Sequence, residues 1–412
     1  MDESILEPAK LRRYADAITK ASLSVKKGDV LLVQGAPAHR ELVVAVAEAG
    51  YRAGAHVVDV AYYDPLAERA RLEYGSKDAL GVVTPWALRR MRELVKPHGA
   101  RATIIGTSDP DHLHGIPPKR IAADAAGVAR QTKFFQRANL DLEARWTGAA
   151  WPTDYWAGQV YPELTPHEGK QRLAQDLLRF CRLTDEDGQG SSGWLAHARA
   201  LAQRAAKLTK LGLTGLELRG PGTELDVRLA QNTRWLGGEE RTAAGVRICP
   251  NMPTEETFTS PDRNGASGTF ACTFPLSFQG KLIHGLRGEF RSGRLVRLEA
   301  DEKEGRDFVA SYIDSDPTGN GRRLGEVALV DSTSRIGQSG RTYFNTLLDE
   351  NAAAHIAFGA GFGGTRTAKP ARGINNATVH LDVMIGGPEF EVTGITPKGK
   401  RLPVIADGLW QI

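Results

Sequence analysis

The second half of the chain holds residues whose types and spacing suit metal chemistry. His380 and Asp382 stand two apart within the apolar run from Val379 to Ile385, which reads as a strand. Period-two geometry puts both side chains on one face, where an imidazole and a carboxylate could share an ion. A strand face of this kind equally suits a plain ion pair. Glu350 and His355 flank the small-residue stretch Asn351–Ala354, which is compatible with a helix. Five steps on a straight α-helix turn through about 500°, so joint binding needs a break between the two, or two ions reached from different sides. Glu326 follows Gly325 at the mouth of the apolar run Val327–Val330, and Glu255 and Glu256 follow Pro253-Thr254. Three glutamates, two histidines and a shared Asp382 suffice for two ions about 3.5–4 Å apart, an arrangement that activates water for amide hydrolysis. Carboxylates and neutral imidazoles suit zinc, cobalt or manganese. No HExxH, GxSxG or Walker loop is present. The glycine run from Gly359 to Gly364 superficially matches a dinucleotide loop, but it follows a helix-like segment, so that reading is rejected.

The elements that must position these residues change character along the chain. Residues 29–35, 55–60 and 102–106 are short apolar runs that read as buried strands. Helical periodicity covers 40–52, 64–74, 86–96 and 118–136. Strands alternating with helices imply βαβ units and a mostly parallel sheet. A cluster of Trp146, Trp151, Trp156, Tyr155 and Tyr161 follows no helical period; such clusters cover a core more often than they line a pocket. Helices near 167–183 and 191–208 come next. Beyond 210, residues 215–220, 225–230, 268–278, 281–290 and 293–300 read as strands joined by glycine-containing turns. The fold class is therefore α/β: an N-terminal α/β domain with a mostly parallel sheet over 1–200, then a β-rich α+β domain over 201–412 that carries the candidate ligands.

Composition removes several classes of function. Among 412 residues, 41% hydrophobic and 25% charged side chains describe a globular chain. Fifty-three basic against 49 acidic residues leave a net +4 with no basic block, which argues against a nucleic-acid binder. Cys181, Cys249 and Cys272 are far apart and form no CxxC pair, so they read as packing residues. The N-terminus opens acidic and lacks the pattern of a signal peptide, and no apolar run reaches 18 residues. A cytoplasmic location with no membrane partner is expected.

At these same residues the chain resembles the metal-dependent aminopeptidases of the aminopeptidase T, aminopeptidase S and PepS type. The matching words are Asn251–Glu256 with Phe258–Pro261, Leu324–Val330, Asn345–Ala352 ahead of His355, and His380–Gly386. The likeness is looser in Lys27-Gly28-Asp29 and in Gly54-Ala55. It implies a two-metal site on Glu256, Glu326, Glu350, His355, His380 and Asp382. It further implies cleavage of the N-terminal peptide bond of short peptides through a bridging water, and a homodimer whose active sites open into an internal cavity. Glu255 is the candidate general base; an outer salt-bridge role is its alternative. One position departs from the family: Phe362 stands where its members carry a tyrosine, and a phenol can donate to a developing oxyanion where phenylalanine cannot.

Two other functions share the pattern. One is a mononuclear iron ring-cleaving dioxygenase on the same fold, although such a site needs only two histidines and one carboxylate. The other is a non-catalytic, dimeric peptide-binding protein. Metal content separates the first from the peptidase, and turnover separates the second.

Overall fold

The computed structural model describes residues 4–279, 281–367 and 372–412. The fold is mixed α/β, with one five-stranded parallel sheet and, among the described residues, antiparallel sheets of eight, four, two and two strands. The chain groups into two compact units: residues up to His197 with Glu239–Met252, and Ala198–Gly238 with Pro253–Ile412.

The first unit is built on a five-stranded sheet in the order Val57–Tyr62, Val30–Gly35, Gly99–Ile105, Arg145–Ala150 and Asn251–Met252. Every pairing is parallel. Val30–Gly35 lies inside the sheet, so Leu31, Leu32 and Val33 are all buried, as a continuous apolar run requires. Val57–Tyr62 forms the edge and leaves Val57, Val60 and Tyr62 exposed. Helix Arg40–Arg52 connects these two strands and packs closely on them at Gly50. A Cβ there would stand 2.7 Å from Leu31 Cδ2 and 3.1 Å from Val58 Cγ2. Asp29 and Arg145 make a buried ion pair at 2.8 Å, and Arg145 Nε donates to the Gly99 carbonyl at 2.9 Å. One contact set thus ties the starts of three neighbouring strands together.

The aromatic cluster serves this unit's core. Trp151, Trp156 and Tyr161 are buried, and the Tyr14 hydroxyl donates to the Ala150 carbonyl at 2.9 Å. Trp151 closes strand Arg145–Ala150, and Thr153 caps helix Asp154–Val160 by accepting from the Trp156 N–H.

The second unit pairs two antiparallel sheets. The larger runs Arg294–Glu299, Arg287–Arg291, Pro261–Ala271, Thr223–Leu229, Gly215–Gly220, Glu391–Ile395, Arg401–Ala406, Leu409–Trp410. The smaller runs Thr257–Thr259, Leu324–Leu329, His355–Gly359, His380–Met384. Side chains from both fill one core, including Leu218, Val227, Val327, Ile356, Leu381 and Val383. Phe358 of the small sheet meets Phe270 and Phe290 of the large one, each at 5.7 Å between ring centroids. The small sheet buries Val327, Ile356, Phe358, Leu381 and Val383 on this side. By alternation, the residues between them point to its other face.

Cys181 and Cys249 are buried, Cys272 is partly so, and none is bridged. Among the described residues, no helix is long and apolar enough to cross a membrane.

Candidate metal centre

The far face of the small sheet carries the chemistry. In strand His355–Gly359, Ile356 and Phe358 face the core, so His355 and Ala357 face away. In His380–Met384, Leu381 and Val383 face the core, so His380 and Asp382 face away. The shared face expected for His380 and Asp382 is thus present, and His380 Nε2 lies 3.2 Å from Asp382 Oδ1.

Glu326 reaches this face by a different device. Leu324 pairs with Phe358 while Glu326 pairs with Ala357, so Gly325 is an extra residue in a β-bulge. Without the bulge, Leu324 and Glu326 would share a face. With it, Leu324 stays in the core and Glu326 turns towards His380, Oε2 to Nε2 at 3.2 Å. Gly325 is required by space: a Cβ there would lie 2.2 Å from the Ala360 carbonyl oxygen and 2.3 Å from that of Gly359. Glu326 therefore sits inside a strand, buried, and not at its mouth.

The helix-compatible stretch ahead of His355 also resolves differently. A single turn, Thr346–Asp349, passes into a 3₁₀ turn at Glu350–Ala352, and the chain then extends into the His355 strand. This supplies the break that joint use of Glu350 and His355 demands. It also overturns the reason given for rejecting a dinucleotide loop at Gly359–Gly364, since that run follows a strand. The rejection stands on other grounds: among the described residues the run ends in a three-residue 3₁₀ turn, Gly363–Thr365, and no helix follows whose N-terminus could hold a phosphate.

The donors form two groups. Single ligand atoms of Glu256, Glu326 and His355 lie within 4.8 Å of one another, as do those of Glu326, His380 and Asp382. Glu326 is common to both. His355 Nε2 stands 3.2 Å from Glu256 Oε2. Each imidazole is oriented through its other nitrogen: His355 Nδ1–H donates to the Ala353 carbonyl at 3.2 Å, and His380 Nδ1–H to the Ala360 carbonyl at 2.9 Å. Both rings therefore present Nε2 to the carboxylates, the orientation of metal-ligating histidines. Sequence reasoning missed these two carbonyls, because a backbone acceptor leaves no side-chain signal.

Glu350 lies outside both groups but shares their field. Burial, with Asp382 and Glu256 close by, holds its carboxyl well above the usual range. Burial likewise pushes Glu326 up to about 7, with the His380 hydrogen bond pulling the other way. For the histidines burial opposes the charge, yet Glu256 overrides it and raises His355 to about 10, and Asp382 lifts His380 well above its ordinary value. Asp382 is lowered despite its burial, because His380 stands beside it. Four buried carboxylates thus share two imidazoles as their counter-charge. That is an electron-rich donor set which protons satisfy incompletely and divalent cations fit.

Glu255 is also buried but belongs to neither group. Its backbone N–H donates to Asn351 Oδ1 at 2.7 Å, and its charge bears on Arg204, which stacks on the Trp410 ring at 4.4 Å. Phe362 packs between Phe258 and His380, with ring centroids 5.1 and 5.3 Å away.

Known proteins are similar to this chain over nearly their full length. The chain is 34% identical over 409 residues to aminopeptidase T of Thermus thermophilus, covering 98% of each. It is 32% identical over 412 residues to aminopeptidase PepS of Streptococcus thermophilus, again covering 98% of each. The solved structure of wild-type AmpT from Thermus thermophilus superposes with a TM-score of 0.88 at 32% identity, covering 98% of this chain and 99% of that one. The thermophilic metalloprotease (M29) family matches residues 8–410. Matched by the family over residues 8–410 and similar in fold over nearly its whole length, the chain belongs to the M29 family of metallopeptidases, and it is a hydrolase.

Proposed function

We propose that the protein is a metal-dependent aminopeptidase that removes the N-terminal residue of short peptides. The observation that carries this reading is the pair of donor groups joined at Glu326, each holding one histidine whose Nε2 is presented by a backbone carbonyl. The ligands would be Glu256, Glu326, Glu350, His355, His380 and Asp382. Four carboxylate charges among them balance two divalent ions. Glu326 belongs to both donor groups, so it would be the carboxylate that the two ions share, where the sequence reading gave that role to Asp382. Zinc, cobalt and manganese all suit the donors.

Bound there, two such ions supply Lewis acidity toward the scissile carbonyl and lower the pKa of water. The chain's own residues do the rest. Glu255, buried beside Glu256, would take up the proton of the attacking water and return it to the leaving amine. Phe362 contributes shape next to His380 but no hydrogen bond to the oxyanion.

The unbridged cysteines agree with a reducing cytoplasm. The exposed Val57, Val60 and Tyr62 on a sheet edge agree with a homodimer.

Chelation tests the function. Dialysis against a chelator should abolish cleavage of leucine p-nitroanilide, and readdition of zinc, cobalt or manganese should restore it, with about two ions bound per chain. Full activity in metal-free protein would refute the reading, and one iron per chain would favour the oxygenase.

A further inference from the structure

Asn351 follows the candidate ligand Glu350 directly in the chain. Its side chain is fully buried, and both ends of the amide are used. Oδ1 accepts the Glu255 N–H at 2.7 Å and the Thr254 hydroxyl at 3.4 Å. Nδ2 donates to the Leu347 carbonyl at 2.9 Å and lies 3.5 Å from Glu350 Oε1. The amide cannot be turned round, because the Glu255 N–H can only donate and the Leu347 carbonyl can only accept. The Asn351 carbonyl in turn accepts the Ser334 hydroxyl at 2.7 Å.

The two segments joined here have little regular structure to hold them. Residues 254–256 lie outside any strand, between Asn251–Met252 and Thr257–Thr259, and Glu350 sits in a single 3₁₀ turn. No β-ladder therefore fixes the distance between Glu255–Glu256 and Glu350. We propose that Asn351 is the positioning residue that does so: one amide spans both segments and sets the reach of Glu256 and Glu350, together with the placement of Glu255. This rests on reading the cluster as a metal centre. Partners that orient ligands in this way cost about 10–100-fold in metal affinity or activity when removed. An apolar replacement also strands the Glu255 N–H in a buried site.

The test compares Asn351→Ala with Ser334→Ala, which loses a buried hydrogen bond on the same turn but leaves the Asn351 amide in place. Zinc affinity is read by competition with a chromophoric chelator, and kcat and KM are read on leucine p-nitroanilide. Asn351→Ala should lower zinc affinity and kcat by about 10–100-fold with KM within threefold, while Ser334→Ala should lower the melting temperature alone. Should Asn351→Ala fail to fold, Asn351→Asp carries the same test. It keeps the acceptor for Glu255 but loses the donor to Leu347, and its kcat should fall about tenfold or more. A folded variant with wild-type zinc affinity and kcat overturns the proposal, as does a lowered melting temperature with both unchanged. Wild-type protein that neither binds zinc nor cleaves overturns the metal-centre reading itself.

Discussion

Replacing Gly325 with alanine should disable the site while leaving the fold. The added Cβ would stand 2.2 Å from the Ala360 carbonyl oxygen and 2.3 Å from that of Gly359, where ordinary contact begins at 3.4 Å. Relief needs a displacement of roughly 1 Å, and overpacking of this kind costs about 1–3 kcal/mol. The displacement falls where it does most harm. Glu326 is the next residue, 3.2 Å from His380 Nε2, and the Ala360 carbonyl is the acceptor that orients His380 Nδ1. Metal–ligand distances tolerate about 0.2 Å, and misplacement by about 1 Å at a reacting centre can cost about 100-fold in rate. Gly325→Ala should therefore melt a few degrees lower, bind zinc at least tenfold more weakly and lose about 100-fold in kcat. Calorimetry, chelator competition and leucine p-nitroanilide kinetics measure the three. A variant within threefold of wild type in both zinc affinity and kcat would show that the bulge does not aim Glu326.

Two further changes test other parts of the molecule. His39 is buried; its Nδ1 accepts the Ala36 N–H at 3.0 Å and its Nε2–H donates to the Gly106 carbonyl at 3.1 Å, so the folded state holds it neutral. Burial lowers its pKa from 6.5 to about 4, although the Gly106 hydrogen bond pulls upward. The unfolded chain takes up this proton first, so the stability is fully present above about pH 6.5 and is lost as pH falls towards 4. This is worth on the order of 3 kcal/mol, and urea titrations of wild type and His39→Gln at pH 7 and 4.5 should diverge by that order; parallel pH curves would refute it. Phe362→Tyr adds a hydroxyl next to His380 and should raise kcat several-fold, by about tenfold at most, with KM within threefold; unchanged or reduced turnover in the folded variant would show that no donor is wanted there.

What the sequence made legible follows from where each signal is stored. Val30–Gly35 and Arg40–Arg52 carry their own pattern, an apolar run and a helical period, and both form as read. His380 and Asp382 needed only the period of a strand. Glu326 was misplaced because alternation in Leu324–Leu329 is broken by a bulge, and a bulge is a property of the pairing with His355–Gly359. His355 looked helical because Ala, Ile and Phe fit a buried strand as well as a buried helix. Pro261–Ala271 is polar and glycine-rich for most of its length, so the strand expected from 268 begins well before it. Asn251–Met252 has two residues and no local signature, yet it places Glu239–Met252 with the first unit. The bridging amide of Asn351 was hidden for the same reason: its partners at Thr254 and Glu255 are remote in sequence.

The order of strands in the large sheet also makes its closure depend on residues far apart in the chain. Gly215–Gly220 stays without its neighbour on one side until Glu391–Ile395 is made, and that strand then pairs with Arg401–Ala406 at the end of the chain. Every candidate ligand from Glu256 to Asp382 precedes that strand in the chain, on a small sheet whose core face is completed by Val392, Val404 and Ile405. Pairing over such separations is slow, since the loop must close before the contacts repay it. A chain truncated before Glu391 would therefore carry all its candidate ligands without the strand that closes the large sheet beside Gly215–Gly220.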